Sequence, residues 1–166
     1  LKHMPKIYST KDLLLEKMKH YCSYQERCHK EVLDKMFALK IDPEWRDEIL
    51  LDLMREDFIN EERYARSMVR GKFKINSWGK VKIRQNLKIH GITEKLITMA
   101  LEEIDESEYF DKIAVLLKKK YALLANESEP SRSHKTIQHL MQKGYEHHMI
   151  TQELGDLNLK DTGLNE

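Results

Sequence analysis

The chain has 166 residues, 40% of them hydrophobic and 34% charged, which is too apolar for a disordered chain and too charged for one large compact core. Six Gly and three Pro are few for a fold rich in tight turns, and no apolar stretch reaches the ~20 residues of a membrane span. The net charge is only +1, but it is unevenly distributed. Residues 41–62 hold nine acids against Arg46 and Arg55, and residues 63–90 hold nine Lys or Arg and no acid. A basic block of this kind suits a polyanion or an acidic partner, whereas solvated helix faces paired with the acidic blocks would be the bland alternative. Two Cys cannot build a disulfide framework, so a reducing cytoplasm is expected. Residues 1–8 are expected to lie outside the fold, Leu1 to His3 reading as a vector-derived leader before a start at Met4.

Taken in chain order, the pattern is helical throughout. Ser9 and Thr10 precede Leu13, Leu14, Met18 and Tyr21 at helical spacing. A second helix is predicted from about Glu26, with Val32, Met36 and Leu39 on one face. Asp42-Pro43 gives a cap and a first-turn proline to a third, striped by Trp45, Ile49, Leu50 and Leu53. Asn60 is the predicted cap of a fourth helix through Tyr64, Met68 and Phe73. Ser77 is that of a fifth carrying Val81, Ile83 and Leu87 to a stop at Gly91. Thr93 should open a sixth and Ser107 a long seventh through Phe110, Ile113, Leu117 and Tyr121. A loop is expected over 126–132, then an eighth helix with Ile137 and Leu140 ending at Gly144. A ninth carries Met149, Ile150 and Leu154, with fraying from Gly155.

The helices fall into a repeat. At an offset of 53 residues Leu87 meets Leu140, Gly91 meets Gly144, Ile97 meets Ile150 and Leu101 meets Leu154. At an offset of 51 Val32, Met36 and Ile41 match Ile83, Leu87 and Ile92. The fold class expected is all-α, three tandem three-helix repeats stacked into an elongated, curved array. The units span residues 9–58, 59–106 and 107–155, with a flexible tail over 156–166.

Chemistry is sparse. No phosphate-cradling loop, nucleophile elbow or HExxH metal motif is present. His20, Cys22, Cys28 and His29, and separately His134, His139, His147 and His148, have spacings that do not enforce a tetrahedral site. No metal or cofactor is expected. The basic middle says more: Arg63, Arg66 and Arg70 share a helix face, Lys72, Lys74 and Lys80 surround the next joint with Trp78 among them, and Lys82, Arg84 and Lys88 follow. Cations around an aromatic suit phosphate backbones and unstacked bases. For Trp78 a packing role at the start of a helix is the competing reading.

The run Phe58-Ile59-Asn60 followed by Glu62-Arg63-Tyr64-Ala65-Arg66, and then Gly79, Ile83, Arg84, Gln85, Leu87, Gly91 and Ile92, resembles the RecX family of bacterial regulators. That family carries an aromatic, a Leu or Ile and an Asn or Asp before "ERYARS", then "GxxxIRxxLxxxGI". Asp57 stands where members often have Gly, and Cys28 where they have a small hydroxyl. The resemblance implies a protein, not itself an enzyme, that binds RecA and its filament on single-stranded DNA. It would modulate the recombinase, ATPase and co-protease activities of RecA in DNA repair and the SOS response, the family's general effect being inhibition and mild stimulation the alternative. It also implies weak direct DNA binding and a monomer without a membrane anchor. The expected contact residues are Arg63, Arg66, Arg70, Lys72, Lys74, Trp78, Lys80, Lys82, Arg84 and Lys88. A free-standing helical nucleic-acid-binding module is the alternative, and a metal-dependent nuclease lacks a converging acidic cluster.

Overall fold

The structure, a computed structural model, describes residues 10–161. Expectations about residues 1–9, including a cap at Ser9, and about 162–166 lie outside the described residues. Those described form nine helices and no strand: α1 (Thr10–Tyr24), α2 (His29–Ala38), α3 (Pro43–Arg55), α4 (Glu61–Lys74), α5 (Lys80–Ile89), α6 (Glu94–Leu101), α7 (Glu106–Leu123), α8 (Glu129–Gln142) and α9 (His147–Asp161).

Helix starts follow local chemistry. Asp42 accepts from the Glu44 N–H with Pro43 in the first turn, and Asn60 accepts from the Arg63 N–H, each satisfying a donor that the helix leaves unpaired. Three predicted starts are corrected. The second helix begins at His29, with the Glu31 carboxylate accepting from the Cys28 N–H. The seventh is capped by Asp105, whose Oδ1 accepts from both the Glu108 N–H and the Ser107 hydroxyl. The fifth begins at Lys80 after Gly79, because Ser77 sits in the left-handed region at φ 54° and cannot precede a helix directly. Pro130 lies in the first turn of α8 instead of in a loop. α9 does not fray at Gly155. It runs on because Leu154 is buried and Leu157 packs on the same core, leaving the glycine on the outer side.

The helices pack in threes: α1 and α2 on α3, then α4, α5 and α6 on one another, then α7, α8 and α9 likewise. Each middle helix ends in a left-handed residue, Lys40 at φ 55°, Gly91 at φ 80° and Gly144 at φ 91°. These three positions reproduce the 51- and 53-residue offsets. Core layers repeat too. Ile49, Ile97 and Ile150 are fully buried, as are Met36, Leu87 and Leu140. Thr136 occupies the place of Val32 and Ile83, fully buried with its hydroxyl unpaired.

The three units do not have three cores. Met18, Val32, Met36, Ile49 and Leu53 form one cluster in the first unit. The second and third share a single larger one, linked by Phe73 against Tyr109 (ring centroids 5.8 Å apart) and Tyr109 against Tyr145 (5.3 Å). At that boundary the C-terminus of α8 abuts the N-terminus of α5. The Gly79 N–H donates to the Lys143 carbonyl at 2.8 Å and the Val81 N–H to the Gly144 carbonyl at 3.1 Å, and between them the Lys80 N–H donates to the Tyr109 hydroxyl at 3.0 Å. Orphan donors at the start of one helix thus meet carbonyls just past the end of another.

Backbones this close leave no space for a side chain. A Cβ on Gly79 would lie 2.2 Å from the Gly144 carbonyl oxygen, and one on Gly144 would lie 2.3 Å from Lys82 Cβ. Gly71, within α4, has nothing within 4 Å of such a Cβ. Gly79→Ala should therefore lower stability by about 3 kcal/mol or more through overpacking. Gly71→Ala should raise it by roughly 0.5–1 kcal/mol through helix propensity. Urea unfolding of the two variants beside the parent checks the opposite signs.

Candidate interaction surface

The ten residues singled out in the sequence are distributed over three structural settings. Arg63 lies at the boundary of the first and second units. Its Nε donates to Glu26 Oε1 at 2.7 Å, its Nη1 to Asp57 Oδ2 at 2.8 Å and its Nη2 to the Asp57 carbonyl at 2.8 Å. Asp57 itself is left-handed at φ 59°, which is the conformation that would favour Gly there. Its carboxyl is held below the usual Asp range by Asn60 first and then by Arg63.

Arg66 and Arg70 reach across α4 to Glu103, just beyond α6. Arg66 bonds one carboxylate oxygen and also Glu62, and Arg70 Nη1 lies 3.1 Å from the other. Hydrogen bonding by Arg66, outweighing burial, holds the Glu103 carboxyl below its ordinary range, with the Arg70 charge adding to the effect. On α5, Arg84 pairs with Glu94, and Lys88 Nζ lies 3.1 Å from the same carboxylate. One acid thus serves two cations.

The third setting is the boundary between α5 and α8. Trp78 packs against the shared core, its ring flanked by Lys72 Nζ at 4.8 Å and Lys82 Nζ at 4.6 Å. Lys80 Nζ stands 4.7 Å from the Tyr109 ring, and Lys82 Nζ lies 3.4 Å from the Gln142 carbonyl near the end of α8. Lysines in the first turn of α5 work against its helix dipole. The negative end of α8 lies against them and compensates. Lys74 is exposed and makes no ion pair with the described residues.

Beside the second and third settings lies an open groove of about 560 Å³, lined by the cations Lys80, Arg84 and Lys88 of α5, by the acids Glu102, Glu106 and Glu146, and by Thr98 and Leu101 of α6. Arg84 is 37% and Lys88 57% exposed, and exposed pairs are worth only about 0–1 kcal/mol. The pairs that Arg84 and Lys88 make with Glu94 therefore hold these side chains only weakly.

Sequence reasoning missed the acids that face these cations, Glu26, Glu94 and Glu103, because none lies on the same helix as its partner and packing alone brings them together. It also missed Tyr109, whose hydroxyl accepts from Lys80 and donates to Glu146 Oε2 at 2.6 Å. Burial first, then that acceptor, pushes the Tyr109 ionisation upward. Cys22 and Cys28 are free and buried, and burial raises the Cys22 thiol to about 11 and Cys28 in the same direction. Both are poor nucleophiles and metal ligands in that state. Among the described residues no group of three or more His, Cys, Asp or Glu converges on a metal position, and no helix is long and apolar enough to cross a membrane.

The Glu103 carboxyl titrates lower in the folded chain than its ordinary value of 4.5. Its stabilisation is therefore complete above that value and is lost as pH falls through the folded one. Glu103→Gln should lower stability at neutral pH and make the decline below about pH 4.5 shallower than in the parent. Urea titrations at successively lower pH test this, and parallel acid limbs would contradict it.

Comparison with known proteins follows the same division into units. The model described as "RecX, second three-helix domain" matches residues 60–101 and that described as "RecX, third three-helix domain" matches residues 106–154, together more than half of the chain. The regulatory protein RecX of Oceanobacillus iheyensis is 32% identical over 132 residues, 80% of this chain and 48% of the relative. That of Streptococcus sanguinis is 30% identical over 128 residues, 76% of this chain and 48% of the relative. The chain thus spans about half the length of these curated relatives. Among solved structures, RecX from Lactobacillus salivarius superposes with a TM-score of 0.79 at 29% identity, covering 90% of this chain and 97% of that one. A second regulatory protein RecX gives 0.78 at 27% identity, covering 86% and 71%. Matched over consecutive three-helix domains and in its whole arrangement of helices, the chain belongs to the RecX family.

Proposed function

We propose that this protein binds RecA and its filament on single-stranded DNA and restrains the recombinase, ATPase and co-protease activities of that filament, without catalysis of its own. The observation that carries the reading is family membership across the second and third domains. The cation-rich α5, with four Lys or Arg and no acid, supports the class of partner, a polyanion or an acidic protein face. The contact residues we propose are those of the basic middle, with Lys74, Lys80, Arg84 and Lys88 reaching the partner. Arg63, Arg66, Arg70, Lys72, Trp78 and Lys82 hold the surface in place. Units of residues 9–58, 59–106 and 107–155 fit this role because several shallow contacts along a repeating partner add as avidity. A reducing cytoplasm suits the two unpaired thiols.

A nucleic-acid-binding module acting without RecA would use the same cations, so the test separates the two. Binding is compared on RecA–single-stranded DNA filaments, naked single strands and duplex at one ionic strength, using the parent and the triple variant Lys74→Gln, Arg84→Gln, Lys88→Gln. The parent should prefer the filament and slow its ATP hydrolysis. The variant should bind it roughly tenfold or more weakly, with an unchanged melting temperature. Its log–log salt slope should be shallower by about one for each phosphate that the protein no longer neutralises. Indifference to RecA with tight binding to one duplex sequence would overturn the reading. Undiminished filament binding by the variant would move the contact to another face.

A further inference from the structure

We propose that the first unit turns as a body on the second about a pivot at Cys28 and Tyr64, while the second and third units move as one. The two boundaries are built on one plan with different completeness. Tyr64 and Tyr109 are equivalent, each four residues after the capping residue of its unit's first helix, Asn60 or Asp105. Each is inserted beside the start of the preceding unit's middle helix, at Cys28 or at Lys80. Tyr109 is fully bonded there, between the Lys80 N–H and Glu146. The Tyr64 hydroxyl, buried, has the Cys28 thiol beside it and makes no conventional hydrogen bond. A thiol is a weak partner, and a buried polar atom without a good one costs free energy.

The remaining contrasts point the same way. Backbone hydrogen bonds join α5 to the end of α8, whereas no backbone bond between the described residues joins the first unit to α4 or the elements beyond it. Cys28 is the first unit's one member of the large apolar cluster; the rest of its core is separate. The first boundary is held instead by side-chain pairs: Arg63 with Glu26, and His29 Nδ1 with Glu61 Oε1 at 3.1 Å. The partly exposed ion pair of Arg63 with Glu26 is weakened by salt, unlike apolar burial. Next to them lies a cavity of about 240 Å³ between Gln25, Glu26 and Glu31 on one side and Tyr64, Ser67 and Gly71 on the other. It leaves room for α4 and the first unit to shift. The left-handed Asp57 sits in the link between them, and small backbone changes at such links are how hinged bodies turn.

The test uses two doubly labelled full-length proteins and single-molecule energy transfer. One carries dyes at Leu13→Cys and Leu123→Cys, on the first and third units, and the other at Ile75→Cys and Leu123→Cys, within the proposed rigid body. All three positions are exposed, and the native thiols are buried and unreactive. Raising salt from about 0.05 M to about 1 M collapses the screening length. The first pair should shift and widen its transfer distribution, and Arg63→Ala should produce the same shift already at low salt. Arg63→Lys, which keeps the charge but loses the fork, should lie between. The second pair should stay narrow and unmoved in every condition. A first pair that ignores both salt and Arg63→Ala, or two pairs that respond alike, would overturn the pivot.

Discussion

The structure turns on a hydrogen-bonded contact between helix ends, in which the carbonyls of Lys143 and Gly144, just past α8, receive N–H groups at the start of α5. Gly79 offers no side chain to cap its own helix, so the donors there would be unpaired in an isolated unit. The third unit supplies the acceptors: the Lys143 and Gly144 carbonyls and the Tyr109 hydroxyl. Each bond contributes only about 1 kcal/mol net, but a buried donor left unpaired costs about 1–3 kcal/mol, so the second unit depends on the third for more than apolar burial. The same contact accounts for two glycines, for Tyr109 and Tyr145 lying together beneath it, and for lysines at a helix start where the dipole disfavours them.

Much of this was legible in the sequence, and the parts that were not share a cause. Caps at Asp42 and Asn60 and left-handed stops at Gly91 and Gly144 were readable because they depend on one residue and its immediate neighbours. The offset of 53 even places Thr136 in line with Ile83, although the apolar Ile137 beside it is the more conspicuous core candidate. Ser77 was misread because its neighbour Gly79 is capped by a residue more than sixty positions away, which no local pattern records. The basic block was visible as a composition, but the acids facing it were not. Glu103 and Glu94 come to Arg66 and Arg84 through helix packing, and sequence spacing from one helix to another carries no such register.

The unequal boundaries give the proposed activity a physical form. A rigid pair of units presents α5 in a fixed orientation, with Arg84 and Lys88 sharing one acid that holds them only weakly. A first unit held by the salt-sensitive pairs of Arg63 can adjust its own contact without disturbing that surface. For a partner made of repeating subunits, one fixed and one adjustable contact suit binding across neighbours whose spacing varies.

Native-state hydrogen exchange at the Gly79, Lys80 and Val81 amides tests the central contact most directly. First-turn amides ordinarily exchange with the fraying of a helix end. Here they should be protected to nearly the free energy of global unfolding, comparable with core amides such as Ile83 and Leu87. Exchange at rates close to those of an unstructured chain would show that the Lys143 and Gly144 carbonyls do not hold the start of α5, and would contradict the account.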